Sequence, residues 1–196
     1  MTNQTDTIES PQTSGSLPPA GTYTVDPTHS SLNFVVRHLL AAKVRGSFKE
    51  FEGTIVVGDR PEDSSVHGTV QAASITTNQE QRDEHLRSGD FLEASTHPTL
   101  TLVSKRITPK GSERFELLAD LTIRGVTKEV AFDLEVLGHG KGMVPGTTVV
   151  GFEATTSIDR RDFGVSFNMP LDGGGFAVGN KVELELSIEA HAAATA

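Results

Sequence analysis

From Gly21 onward, apolar and polar residues alternate with a period of two, the spacing that puts successive side chains on opposite faces of an extended chain. The clearest case is near the C-terminus, where Val182, Leu184, Leu186, Ile188 and Ala190 share one face and Lys181, Glu183, Glu185, Ser187 and Glu189 share the other. The same alternation groups Phe115, Leu117, Ala119, Leu121 and Ile123. It also groups Val130, Phe132, Leu134 and Val136, and then Val150, Phe152, Ala154, Thr156 and Ile158. Weaker versions cover residues 31–38, 47–57, 66–75 and 99–107. Together these segments predict about eight strands. Turn clusters separate them at Gly58-Asp59-Arg60-Pro61, Pro109-Lys110-Gly111-Ser112 and Gly138-His139-Gly140-Lys141-Gly142.

One helix is predicted, within residues 77–92, between the third and fourth strands. Thr77 and Glu80 have capping-box spacing, and Gly89 is placed to end the last turn. Alternation with short connections implies antiparallel hairpins, so the fold class is all-β. About eight such strands close as an up-and-down barrel or pack as a sandwich, and periodicity alone does not choose between them. Several inward positions carry small residues: Gly68, Ala72, Ser74, Ala119, Ala154 and Thr156. In a barrel such a set leaves an elongated apolar cavity; a sandwich would pack tightly on it.

Composition narrows the class of partner. The 196 residues suit one domain, and 17 Lys and Arg against 26 Asp and Glu leave a net charge of −9. That balance argues against nucleic acid or an anionic membrane surface as the main partner. With no cysteine, the chain has no disulfide, thiolate nucleophile or cysteine-based metal site. Residues 1–20 contain no Lys or Arg and no apolar run, and are expected to form a disordered polar tail ahead of a domain at 21–193. Without the features of a signal peptide, a cytoplasmic location is expected. No apolar run has the roughly 18 residues of a spanning helix, so stable membrane insertion is not expected.

Catalytic signatures are sparse. Seven histidines, at 29, 38, 67, 85, 97, 139 and 191, include no pair at the i, i+4 spacing of a helical metal site or the i, i+2 spacing of a strand one, and no metal site is predicted. No Gly-x-Ser-x-Gly elbow, P-loop or dinucleotide fingerprint occurs, and Gly173 to Gly175 follow Leu171-Asp172 as a loop. No catalytic residue is assigned, and the chain is read as a binding protein and not an enzyme.

Five ordered motifs then carry a family resemblance over residues 21–193. The first is YTVDPTHSSLNFVVRHL, with Asp26, Pro27, His29, Ser30 and His38; the second is VRGSFKEFEGTI, with Gly46, Phe48, Phe51 and Gly53. The third, RDEHLRSGDFLEASTHPTLTL, supplies Arg82, Asp83, His85, Leu86, Asp90, Phe91 and Pro98. The last two are Ile123 to Thr127, and Arg160 with Phe163 and Gly164. In these the chain resembles the YceI-like family of polyisoprenoid-binding, lipocalin-like proteins. Tyr23 stands where members often have Trp, and a polar tail stands where exported members have a signal peptide.

The resemblance implies an extended eight-stranded, lipocalin-like barrel with a helix at its side. It implies a long isoprenoid lipid as ligand, of polyprenyl phosphate or isoprenoid quinone type, held by a carrier, reservoir or protector. No cofactor is implied beyond that bound lipid, and a homodimer is compatible with the family. The candidate cavity lining is Phe34, Val36, Leu117, Leu121, Phe132, Leu134, Phe152, Ile158, Leu184 and Leu186. Each of these equally suits ordinary core packing. Candidate groups for a polar head at the mouth are His29, Arg82, His85, Arg124 and Arg160, since guanidinium matches phosphate oxygens in a fork geometry. The alternatives are structural: Arg82 paired with Asp83, Arg160 and Arg161 paired with Asp162, and His29 and His85 bonded to each other or to backbone. Two other functions stay open, an enzyme acting on an isoprenoid intermediate in the same cavity and a binder of another amphiphile such as a fatty amide.

Overall fold

The computed structural model describes residues 17–39, 42–143 and 145–192. The polar tail predicted over 1–20 therefore lies outside the described residues except at its last four positions. In chain order the strands are β1 (Gly21–Val25), β2 (Ser31–His38), β3 (Ala42–Phe48), β4 (Phe51–Val57), β5 (Ser65–Gln71), β6 (Ile75–Thr76), β7 (Thr99–Pro109), β8 (Arg114–Ile123), β9 (Val126–Lys141), β10 (Thr148–Asp159) and β11 (Val178–Ala192). One α-helix, α1 (Glu80–Arg87), lies between β6 and β7.

These strands form one closed antiparallel barrel. β1 and β2 both run antiparallel to β11 and follow one another along it, separated only by the loop at 26–30. β3 pairs with β2 and β4 with β1, so β3 and β4 likewise form one interrupted strand. Counted this way, the ring has eight strands: β1/β2, β3/β4, β5, β7, β8, β9, β10 and β11. It closes where Thr24 meets His191 and Val25 meets Ala190. β6 extends β5 by pairing Thr76 with Ser47 and Ile75 with Phe48. A sandwich is thereby excluded.

The inward faces follow the alternation closely where strands are regular. Along β8, Phe115, Leu117, Ala119, Leu121 and Ile123 are all buried. Tyr23, Phe132, Val150 and Phe163 are the largest side chains that lose nearly all contact with solvent. The Tyr23 hydroxyl satisfies its one donor on Pro19 O at 2.8 Å, which lets the ring sit inside.

Three local expectations are corrected. The glycine-rich stretch 138–142 is not a turn: β9 runs to Lys141, with Gly140 opposite Val149 and Lys141 opposite Thr148. Ladder hydrogen bonds from β10 outweigh the weak strand preference of glycine, and the chain reverses only where the Gly142 N–H donates to Thr147 O. The helix starts later than the capping box predicts. Asn78 takes a left-handed φ of 58°, and the Gln79 side chain caps α1 by accepting from the Arg82 N–H. Its end is Ser88, in extended conformation, and not Gly89. Finally, Ala72 and Ser74 are not strand residues: residues 72–74 form a 3-10 turn in which Ala72 is buried in the core and the Ser74 hydroxyl donates to Gln71 O. Thr156 shares the face of β10 that carries Ala154 and Ile158, and its hydroxyl donates to Ala131 O at 2.8 Å.

Gly46 shows how tightly one part of the wall is built. It lies opposite Phe34, and a Cβ there would sit 2.3 Å from the Phe34 ring and 2.9 Å from Thr76 O. Gly46→Ala must therefore push Phe34 into the barrel or part β3 from β6. A loss of about 1–3 kcal/mol is expected in urea unfolding, the usual cost of overpacking.

Candidate functional site

The barrel is hollow. A cavity of about 480 Å³ runs along its interior, with walls that are almost wholly hydrocarbon. This lies within the range of roughly 300–1,000 Å³ typical of small-molecule sites. The ten apolar residues singled out from the sequence, Phe34, Val36, Leu117, Leu121, Phe132, Leu134, Phe152, Ile158, Leu184 and Leu186, all border it. They come from β2, β8, β9, β10 and β11, and strand pleating alone turns them to the same side. Space survives because smaller groups alternate with the large ones: Gly53, Gly68 and Ala154 are also part of the lining.

Polar residues border the cavity where β2 ends and β11 begins, and Asn33, Glu52, Ser64, His67 and Thr101 border it elsewhere. Arg37 and His38 from β2, Arg82 and His85 from α1, and Arg160 from the 3-10 turn after β10 border the cavity at the first of these places. Arg160 is the most constrained, only 6% exposed. Its guanidinium donates to Val165 O at 2.7 Å, Phe167 O at 2.9 Å, Gly179 O at 3.0 Å and Asn180 Oδ1 at 3.3 Å. Every acceptor is neutral, and burial lowers its pKa from the usual arginine value. The expected pairing with Asp162 does not form. Arg161 is held by Asp159, whose carboxyl those hydrogen bonds bring down to about 2. Arg160 thus leaves its charge uncompensated by a hydrogen-bonded carboxylate and adds positive potential to this end of the cavity.

Arg82 does not pair with Asp83 either. Its Nε donates to Thr77 Oγ1 at 2.7 Å and its Nη2 to Thr77 O at 3.2 Å. Adjacent residues point apart on a helix. Asp83 faces inward, 3% exposed, and accepts from the Thr77 N–H at 2.7 Å and the Thr76 hydroxyl at 2.9 Å. Burial pushes its carboxyl pKa up, but the hydrogen bonds from Thr77 and Thr76 outweigh it, and the net shift is downward. His85 meets Asp90 at 2.7 Å and packs edge-on against Phe91 and Phe167, each ring centre 5.0 Å away.

Two predicted mouth residues lie elsewhere. Arg124 occupies the two-residue turn between β8 and β9 with a φ of 50°, followed by Gly125 at 72°. It donates to Glu93 Oε2 and to Gly164 O, tying that hairpin to the segment after α1 and to the 3-10 turn. His29 sits in the loop between β1 and β2 and bonds Asp26, not His85. Neither borders the cavity. Conversely, the sequence reading passes over Arg37, His38, Phe91 and Phe167 as lining. Phe167 belongs to the irregular stretch after Phe163, where no period marks a face.

A closed eight-stranded antiparallel ring around an apolar interior defines a lipocalin-like barrel. The chain belongs to the YceI-like family: the family's YceI-like domain matches residues 23–190. A UPF0312 protein of Staphylococcus aureus strain MSSA476 is 38% identical over 169 residues, covering 85% of this chain and 95% of that protein. Among solved structures, Burkholderia cenocepacia BcnA aligns with a TM-score of 0.72 at 22% identity, covering 84% of this chain and 98% of BcnA. The Campylobacter jejuni YCEI protein aligns at 0.67 with 27% identity, covering 80% and 89%. A protein of Saccharophagus degradans described as a polyisoprenoid binding domain aligns at 0.65 with 16% identity, covering 87% and 98%. Among the described residues, no helix is long and apolar enough to cross a membrane.

Asp83 offers a direct test of how α1 is held. A carboxyl whose folded pKa is depressed adds stability above its unfolded value of about 3.9, and that stability is lost as pH falls through the lower folded value. Asp83→Ala is therefore expected to cost about 2–3 kcal/mol at pH 7, the scale of buried hydrogen bonds to a charged group. In urea unfolding at a series of pH values, the gap between wild type and variant should narrow below about pH 4.

Proposed function

We propose that this protein binds a long-chain isoprenoid lipid, of polyprenyl phosphate or isoprenoid quinone type, as a carrier, reservoir or protector. The observation that carries the reading is the continuous apolar cavity, which offers hydrocarbon along the barrel and polar groups only sparsely. The lining residues Val182, Leu184, Leu186 and Ile188 follow one another along β11, so the interior suits an extended tail better than a compact ring. Each buried CH₂ contributes about 0.8 kcal/mol, partly offset by ordering a flexible chain. The structure neighbour described as a polyisoprenoid binding domain supports this ligand class.

The head group is assigned to the end bordered by Arg37, His38, Arg82, His85 and Arg160. Arg82 is the group best suited to meet a phosphate. It makes no ion pair among the described residues, and its two hydrogen bonds go to one threonine. Arg160 is committed to four neutral acceptors and contributes potential more than contact.

The first test is mass spectrometry of the organic extract of protein purified from its native host, beside native spectra of the intact chain. A stoichiometric polyprenyl species recovered unchanged is the expected result. Conversion of that lipid over time, abolished by His85→Ala, would instead establish an enzyme, and a stoichiometric fatty amide would establish a different amphiphile. Ala154→Phe, which fills the cavity, should reduce lipid occupancy at least tenfold in a protein that still folds. Arg82→Gln should weaken a polyprenyl phosphate about tenfold, or about 1.4 kcal/mol, and leave the corresponding alcohol unchanged.

A further inference from the structure

Outside the barrel, where the ring closes, four side chains from distant parts of the sequence meet. Asp26 and His29 come from the loop between β1 and β2; Glu189 and His191 come from the same outer face of β11. None of the four borders the cavity. The Asp26 Oδ2 lies 2.8 Å from His29 Nδ1 and 3.4 Å from His191 Nε2. The Glu189 Oε1 lies 3.6 Å from His29 Nδ1 and 3.0 Å from His191 Nε2. Two oxygens and two nitrogens thus alternate around a closed ring, each close to two of the others.

Hydrogen bonding does not account for all of that ring. The two protons these nitrogens can carry serve the His29–Asp26 and His191–Glu189 hydrogen bonds, and the other two N···O separations, 3.4 and 3.6 Å, have no proton between them. A cation at the centre would satisfy all four at once. With metal–nitrogen and metal–oxygen bonds of about 2.0–2.1 Å, the edge of a tetrahedral zinc site is about 3.3 Å, and the four separations bracket it. The donor atoms of Asp26, His29 and Glu189 already lie within 4.8 Å of one another. His191 lies beside this group, with its Nε2 near both carboxylates.

The backbone holds these donors in place independently of any ion. Asp26 spends Oδ1 on the Thr28 N–H at 2.8 Å, which leaves Oδ2 for the cluster. Its own N–H donates to Glu189 O at 2.8 Å. The Ser30 hydroxyl donates to Glu189 O at 3.2 Å and accepts from the Glu189 N–H at 2.9 Å. The loop is therefore pinned to β11 at the residue that supplies one ligand. His29 is exposed, so an ion reaches the site directly from solvent.

We propose that Asp26, His29, Glu189 and His191 form a binding site for a divalent transition metal of the zinc class, clamping the β1–β2 loop to β11 at the seam of the barrel. Two imidazoles with two carboxylates suit zinc, nickel or copper better than calcium or magnesium, which take oxygen donors. Two carboxylate charges neutralise the dication. The site is separate from the lipid cavity and stands whether or not a lipid is bound.

The test is isothermal titration of the tag-free full chain with zinc chloride. One zinc per chain is expected, with affinity weakened at least tenfold in His29→Ala and in His191→Ala. His67→Ala, an exposed histidine on β5, should match wild type. Zinc should also raise the Tm of wild type but not of the His29→Ala/His191→Ala double variant, with circular dichroism confirming that both fold. Absence of saturable one-to-one binding to wild type, or wild-type affinity in both single variants, would overturn the assignment.

Discussion

The structure depends on β11 pairing with two strands in succession. Its first part lies against β2 and its last residues against β1, and that second contact turns an open, strongly twisted sheet into a closed ring. Closure removes the exposed edges that a long sheet would otherwise present, and it fixes the interior width at that of an eight-stranded barrel. Between β1 and β11 two residue pairs form, Thr24 with His191 and Val25 with Ala190, and β3 adds two more with β6, Ser47 with Thr76 and Phe48 with Ile75. The loop at 26–30 therefore carries an unusual share of the burden, and its hydrogen bonds to the Glu189 backbone are where closure is secured.

Once the ring is closed, the size of the inward side chains decides whether it is solid or hollow. Phe132 and Val150 fill parts of it, but glycine at 53 and 68 and alanine at 154 leave room between Phe34, Phe152 and the leucines of β8 and β11. The polar end is built on a different principle. Burying a guanidinium is costly unless its donors are satisfied, and Arg160 is satisfied by the Val165 and Phe167 carbonyls of the segment that folds over it and by Gly179 O of β11. The irregular stretch after Phe163 is thus held in place by the same side chain that gives the cavity end its charge. Asp83 does the matching work for α1 with two threonines.

Legibility in the sequence followed regularity of the backbone. β8 alternates without interruption, and its inward face reads directly from the order of residues. β7 does not: a bulge between Ser104 and Arg106 switches parity, so Leu100 and Leu102 face inward before it and Ile107 after it. The glycines of β9 have the composition of a turn but are held in a strand by β10. The helix was visible from its polar run and spacing, yet its cap moved from Thr77 to Gln79 because Thr77 is taken by Asp83 and Arg82. Arg124 has the chemistry of a phosphate ligand, but its place in a tight turn commits it to Glu93.

The sequence by itself determined that this is an antiparallel β protein of the YceI-like type, and which side chains share a face on each regular strand. The antiparallel class and the shared faces follow from local physics, since a period of two is a property of the extended chain and turn residues act over a few bonds; the YceI-like type rests on the resemblance of five ordered motifs. Only the tertiary structure decided what those faces enclose and which charged groups meet. Asp26 and Glu189 lie far apart in sequence, and nothing local brings them together. Their meeting is a consequence of ring closure, which depends on the register of every strand between them.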